Sequence, residues 1–136
     1  MRTTTNSRRT NRGFTLLEMT IVAVIIGILV MLAYPSYLGQ IRKSRRASAE
    51  AHLMDIAARQ QQYLYDSRAY AGSLVVLNLT TPSDVAAYYT IQIAVQAGPP
   101  PSFSLTATPT GTQIKDLGGA ALTIDNAGAK APAGAW

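Results

Sequence analysis

The stretch MTIVAVIIGILVMLAY, Met19 to Tyr34, decides the fold, and no residue from Met19 to Ile41 is charged. About 20 apolar residues in a helix cross a hydrocarbon core of roughly 30 Å, so the run is long enough to span a bilayer. A helix apolar on every face needs partners on every face. The rest of a 136-residue chain is too small to supply them, which argues against the core helix of a soluble protein.

Basic residues bracket this run. The chain carries 12 Lys+Arg against 7 Asp+Glu, a formal net charge of +5. Arg2, Arg8, Arg9 and Arg12 precede Gly13, and Arg42, Lys43, Arg45 and Arg46 follow the run. Beyond residue 46, Arg59, Arg68, Lys115 and Lys130 are outnumbered by Glu50, Asp55, Asp66, Asp84, Asp116 and Asp125. The positive balance is thus two local clusters and not a basic surface spread over a folded domain. With both flanks basic, charge alone does not orient the span. Residues 1–13 are short and lack apolar periodicity, whereas the chain after residue 46 has the pattern of a polar folding domain. A cytoplasmic N-terminus with the C-terminal domain outside is the simpler topology. A cleavable secretory signal would be cut near Ala33, but Glu18 within the apolar segment and the continuing helix argue against that. The length fits one domain, and the absence of cysteine removes disulfides, thiol catalysis and thiolate metal sites.

Helical character continues from Ser36 to about Asp66. Ala49, Leu53, Ile56, Ala57, Tyr63 and Leu64 share one face, and Glu50, Asp55, Arg59 and Gln62 point elsewhere. Counted from Phe14 to Asp66, the helix would rise roughly 80 Å, half membrane span and half domain spine. Residues 67–87 lose that period and read as a connecting loop, with a turn or short strand around Leu74 to Leu77. Strict alternation follows in Tyr88 to Ala97 and in Ser102 to Pro109, two strands of one hairpin joined by Gly98 to Pro101; Leu122 and Ile124 suggest a third. The expected fold class is α+β: a long N-terminal helix, transmembrane half plus amphipathic half, packed on a small antiparallel sheet. The expected divisions are a leader (1–13), a transmembrane helix (14–40), its amphipathic half (41–66), a connecting loop (67–87) and a sheet with C-terminal loop (88–136).

The residues GFTLLEMTIVAVIIGILVMLAYPSY, Gly13 to Tyr37, combine a preceding basic leader, Gly then Phe, and Glu18 as the fifth residue after Gly13. They resemble the N-terminal region of type IV prepilins and of the related pseudopilins of type II secretion. The resemblance implies that a prepilin peptidase cleaves after Gly13 on the cytoplasmic side, that Phe14 becomes the N-methylated N-terminus, and that the helix stays on the mature chain. Gly13 offers the peptidase a backbone without a side chain in the way. In a filament, Glu18 would neutralise the terminal amine of a neighbouring Phe14. Opposite charges about 4 Å apart in a low-dielectric bundle attract by several kcal/mol against a similar desolvation cost, so the pair acts mainly as a register device. Gly27 weakens helix and Pro35 removes a backbone donor, so the stretch between them is where the helix would kink or locally melt.

Downstream, YYTI (Tyr88 to Ile91), LTATP (Leu105 to Pro109), LTID (Leu122 to Asp125) with Gly128 and Lys130, and Trp136 are similar to minor pilins of the PilE type. Those pilins close the C-terminal loop with a disulfide, and the matching positions here are Gly118 and Ala135. Loss of that staple, worth about 3 kcal/mol, leads to the expectation of a less ordered tail over Ala127 to Trp136.

The resemblance therefore implies a structural subunit, a minor pilin of a type IV pilus, held in the inner membrane as a single-pass precursor and then exported into the filament. Its partners would be other pilin subunits, prepilin peptidase, the pilus assembly platform and the inner membrane, in the service of pilus biogenesis, twitching motility or adhesion. No enzymatic activity, cofactor, metal or disulfide is expected. His52, the only histidine, has no ligand cluster around it and is expected at a solvated helix position. Asp116 and Asp125 are too few for a calcium loop. The run Arg42 to Arg46 suits headgroup anchoring or pairing with acids of neighbouring subunits; DNA is a partner it permits but does not favour, for want of interleaved aromatics. The alternatives are a type II secretion pseudopilin and a membrane-anchored DNA-uptake or adhesion module that never polymerises.

Overall fold

The computed structural model describes residues 13–136; residues 1–12, the four leader arginines among them, lie outside the described part. In chain order it contains α1 (Leu16–Ser67), α2 (Ser83–Ala86), β1 (Tyr89–Gln96), β2 (Ser102–Pro109), the 3-10 turns Gly111–Lys115 and Leu117–Gly119, β3 (Leu122–Asp125) and β4 (Lys130–Ala131). Two compact units divide between Tyr37 and Leu38, and each is taken on its own.

The first unit is helix. Thr15 is its N-cap: the Thr15 Oγ1 accepts from the Glu18 backbone N–H at 3.2 Å, and the Thr15 carbonyl accepts from the Met19 N–H at 3.2 Å. That hydroxyl satisfies one of the donors a helix leaves open at its start. Within the apolar run, Thr20 Oγ1 donates to the Leu17 carbonyl at 2.8 Å, so that hydroxyl needs no water. Every side chain from Phe14 to Tyr37 is exposed among the described residues.

The second unit wraps a four-stranded antiparallel sheet, order β1-β2-β3-β4, around the apolar face of α1. The register sets Ile93 opposite Leu105 and Leu105 opposite Ile124, aligning one apolar row across three strands. Leu105, Ala107, Leu122 and Ile124 bury that row against Ala49, Leu53 and Ile56 of α1, while Gln92, Ser104 and Thr123 alternate to the outer face. Tyr70 meets Phe103 edge to face at 4.7 Å between ring centres, which closes the loop after α1 over the hairpin end.

Two expected features come out differently. Residues 67–87, expected as a connecting loop, contain a helical turn, α2, started by Pro82 and the Ser83–Asp84 pair; of the turn or short strand expected around Leu74 to Leu77, the turn is formed. His52 is 7% exposed, not solvated: it lies one residue before Leu53 on the buried face of α1, and its Nε2 has no hydrogen-bond partner. The C-terminal segment is secured without a disulfide. Asp125 Oδ1 accepts from the Ala127 and Ala129 amides at 2.9 and 2.8 Å, Trp136 Nε1 donates to the Ala131 carbonyl at 3.0 Å, and Ala135 is buried in the core.

Gln60 joins the spine to the loop that follows it. Its Nε2 donates to the Ala71 carbonyl at 2.7 Å and its Oε1 accepts from the Ala71 N–H at 2.8 Å, all within the core. The amide thus mimics a strand neighbour for one buried residue. Gln60→Ala leaves both groups of Ala71 unpaired and is expected to cost about 2–4 kcal/mol in denaturant unfolding. A loss below about 0.5 kcal/mol would show that the amide pair contributes nothing to stability.

Candidate processing and assembly site

In the first unit, Gly13, Phe14 and Thr15 precede the helix and are exposed, so the bond between Gly13 and Phe14 lies outside regular structure. A Cβ placed on Gly13 would meet no atom within 4 Å, and the same holds for Gly27. The fold of this chain does not need glycine at either position. Glycine inside a helix even costs about 1 kcal/mol relative to alanine. Glu18 sits in the first turn of α1, where a negative charge opposes the partial positive charge of the helix start. It takes part in no ion pair among the described residues. Pro35 lies inside α1, where it supplies no amide hydrogen to the preceding turn. Tyr34 and Tyr37 stand at the end of the apolar run, where amphipathic rings suit a membrane boundary.

Thr15 is the functional residue that motif reading overlooks, although its signal is local. Thr-x-x-Glu before an apolar run is the capping-box pattern, here Thr15 to Glu18.

In the second unit, the structure brings the basic run against partners distant in sequence. Arg46 Nη1 donates to Asp116 Oδ2 at 3.2 Å and Arg46 Nε lies 3.4 Å from Glu50 Oε1, with all three side chains about one-sixth exposed or less. Arg46 therefore pairs with acids of its own subunit. Arg45 stacks on the Tyr88 ring at 3.7 Å, supplying an aromatic partner that sequence spacing does not show. Gln113, wholly buried, lies with Nε2 at 3.0 Å from the Arg42 carbonyl, 3.0 Å from the Tyr89 hydroxyl and 3.3 Å from Asp116 Oδ2. Two hydrogens serve three acceptors, which fastens the Gly111–Lys115 turn to α1.

Burial pushes the Glu50 carboxyl up from its ordinary value, against the Arg46 and Lys130 charges that pull it down. It pushes His52 down, against Asp55 and Asp84. Burial likewise raises Tyr89, and its bond to Gln113 partly offsets this. Among the described residues no group of His, Asp and Glu is arranged to hold a metal ion.

These features have counterparts in known proteins. Residues 35–121 match the family model described as "Type IV minor pilin ComP, DNA uptake sequence receptor", and residues 8–34 match the prokaryotic N-terminal methylation motif. The chain is 34% identical over 61 residues to the type IV major pilin protein PilA of Myxococcus xanthus, covering 45% of this chain and 28% of that protein. It is 32% identical over 80 residues to the type II secretion system core protein G of Dickeya chrysanthemi, covering 54% of this chain and 52% of that protein. Among solved structures, a type IV pilin from Shewanella oneidensis is similar at a TM-score of 0.56 and 27% identity, covering 70% of this chain and 97% of that one. Fold and N-terminal motif together define a type IV pilin-like protein. Since the first model spans most of the folded unit, the chain belongs to the type IV minor pilin ComP family. It spans between about a quarter and a half of the length of the first curated relatives it matches.

Two outcomes follow from the buried charges. Arg46→Ala leaves Glu50 and Asp116 without the guanidinium that pairs with both, and is expected to destabilise by about 2–4 kcal/mol, more than Asp116→Ala, by equilibrium unfolding. The reverse order would show that Asp116, and not Arg46, organises the cluster. Because His52 is depressed in the folded chain, the unfolded chain takes up its proton first as pH falls through the ordinary value of 6.5. Stability carried by neutral His52 is thus present above that value and is lost as pH falls to the depressed folded one. The raised Glu50 works in the opposite sense, adding stability at low pH that is lost as pH rises through its folded value. Unfolding midpoints followed downward from neutral pH are expected to fall more steeply for the wild type than for His52→Gln; parallel curves would remove His52 from the pH dependence.

Proposed function

We propose that this chain is a structural subunit of the minor kind in a type IV pilus. It is held as a single-pass precursor with its N-terminus in the cytoplasm, cut by prepilin peptidase after Gly13, N-methylated on Phe14, and assembled through α1. The observation that carries this is the apolar helix of the first unit, whose side chains from Leu16 to Tyr37 are all exposed among the described residues. Such a surface is at rest in lipid, and outside lipid only when packed against other apolar helices. The methylation motif over residues 8–34 and the exposed, non-helical Gly13–Phe14 bond support the processing step. Glu18 has no cation partner within the described chain, which leaves it available to the amine of a neighbouring Phe14 in a filament. A helically repeating, heterologous interface is the assembly such contacts build, and a bend between Gly27 and Pro35 would adapt α1 to it.

The description of the matched family favours a second reading, in which the folded unit is also a receptor for DNA. Arg42 and Lys43 form no ion pair among the described residues, which leaves them open to phosphates. Affinity for duplex DNA that falls steeply with salt is the expected signature. The likeness to type II secretion core protein G keeps a pseudopilin role as the alternative within the same architecture.

Mass spectrometry of the mature chain is expected to show methylated Phe14 at its start, and Glu18→Ala subunits are expected to be processed yet to enter filaments at least tenfold less often. A mature chain beginning elsewhere sinks the processing step; normal filament entry by Glu18→Ala sinks the assembly role.

A further inference from the structure

The turn Gly111–Gly119 is fixed to α1 at Arg42, the first residue after the uncharged stretch Met19 to Ile41. Gln113 binds the Arg42 carbonyl and Asp116 binds Arg46, so those two side chains face inward. The residues between and after them are turned outward: Ile114 is 50% exposed, Leu117 is 36% exposed, and Lys115 is exposed. Leu117 holds a φ of 49°, a left-handed conformation that leucine rarely takes. Local backbone strain that keeps an apolar side chain in solvent points to a surface with a use.

The charges beside this turn are one-sided. Glu50 and Asp116 are both answered by Arg46, whereas Arg42, Lys43 and Lys115 enter no ion pair among the described residues. The polar layer on each side of a bilayer is roughly 5–8 Å deep and an α-helix climbs about 1.5 Å per residue. Arg42 and Lys43 directly follow the last position of the uncharged run, Ile41, about 8–12 Å of helical rise beyond Tyr37 and Tyr34, and the turn is bound to the Arg42 carbonyl.

We propose that Ile114, Lys115 and Leu117, with Arg42 and Lys43, form a second membrane contact, which seats the folded unit on a bilayer surface carrying anionic lipid headgroups. Cations flanked by exposed aliphatic side chains are the chemistry of an interfacial contact: the charges meet headgroup phosphates and the apolar tips enter the acyl boundary. Stacking platforms, which a single-stranded nucleic acid requires, are absent from these five residues. The contact would orient the subunit while it is stored in the membrane and would be broken on extraction. It rests on the reading of Met19 to Ile41 as a membrane span.

The chain has no cysteine, so single-cysteine labelling is clean. The full chain is reconstituted in phosphatidylcholine vesicles, with or without phosphatidylglycerol, carrying an environment-sensitive fluorophore at Ile114→Cys, Val75→Cys or Ile26→Cys. Val75, 84% exposed, neighbours Val76, which lines a groove with Arg59 and Asp66; these lie at least about 25 Å of helical rise beyond Arg42. A quencher attached to the lipid headgroup is expected to dim the label at 114 severalfold more than the label at 75 in the phosphatidylglycerol vesicles. Combined Arg42→Gln, Lys43→Gln and Lys115→Gln substitution is expected to remove that excess. Equal access of an aqueous quencher to labels 114 and 75 in both vesicles overturns the proposal. So does an excess insensitive to the three substitutions, or one that arises only with duplex DNA. A label at 26 outside the hydrocarbon overturns the span and this contact with it; a label at 26 in hydrocarbon with 114 in water overturns the contact alone.

Discussion

An apolar helix whose side chains stand exposed along the whole described length of its unit is the constraint on which the rest of this protein depends. Burial of apolar side chains is worth about 25 cal/mol per Å², and among the described residues the helix from Leu16 to Tyr37 has every side chain exposed. The molecule is therefore incomplete by itself in a way that ordinary soluble domains are not. Its energetics require a membrane or other helices, and the polar details of the first unit fit that need. Thr15 satisfies a donor at the helix start and Thr20 satisfies its own hydroxyl, so little polar demand enters the apolar region.

The second unit solves a different problem, which is how to hold a thin sheet on one face of a helix without a staple. It does so with side-chain amides and carboxylates that grip backbone. Gln60 holds Ala71, Gln113 holds the carbonyl of Arg42, and Asp125 holds the amides of Ala127 and Ala129. Each ties a segment with little regular structure to a core element. The tail is closed without any disulfide by Asp125, Trp136 and the buried Ala135, several weak contacts in place of a covalent one. Those contacts depend on solvent conditions in a way that a disulfide would not.

What sequence reading reached and what it missed separate along one line. Periodic patterns were legible: the apolar run, the alternation giving β2 as Ser102–Pro109, and the face carrying Ala49, Leu53 and Ile56. The N-terminal residues were legible through a motif of fixed spacing, Gly13 to Glu18. Aperiodic pairings were not, because Arg46 with Asp116 and Gln113 with Arg42 join positions about seventy residues apart. No local rule connects such residues. His52 shows the same limit, since its ring lies on the buried face of α1 beside the periodic Leu53, where a polar residue breaks the pattern without breaking the burial. Two short signals were present and went unused: Pro82 before Ser83 and Asp84, and Thr15 three residues before Glu18.

Glu18 shows how one residue fits two states of the proposed cycle. In the uncut chain the nitrogen of Phe14 is a neutral amide, and the carboxylate faces only the partial positive charge of the helix start, to which an acid in the first turn is suited. Cleavage after Gly13 converts that nitrogen into an amine and places a full positive charge four residues before the acid. Within one subunit the cap at Thr15 holds the Glu18 backbone but leaves its side chain free, because the bond uses the amide hydrogen and not the carboxylate. The acid therefore has a tolerable position before processing and a stronger partner only after it. Desolvating Glu18 without that amine nearby leaves a buried charge unanswered, a penalty of several kcal/mol. In the proposed cycle, assembly before processing would thus be disfavoured by the same carboxylate that assembly after processing would use.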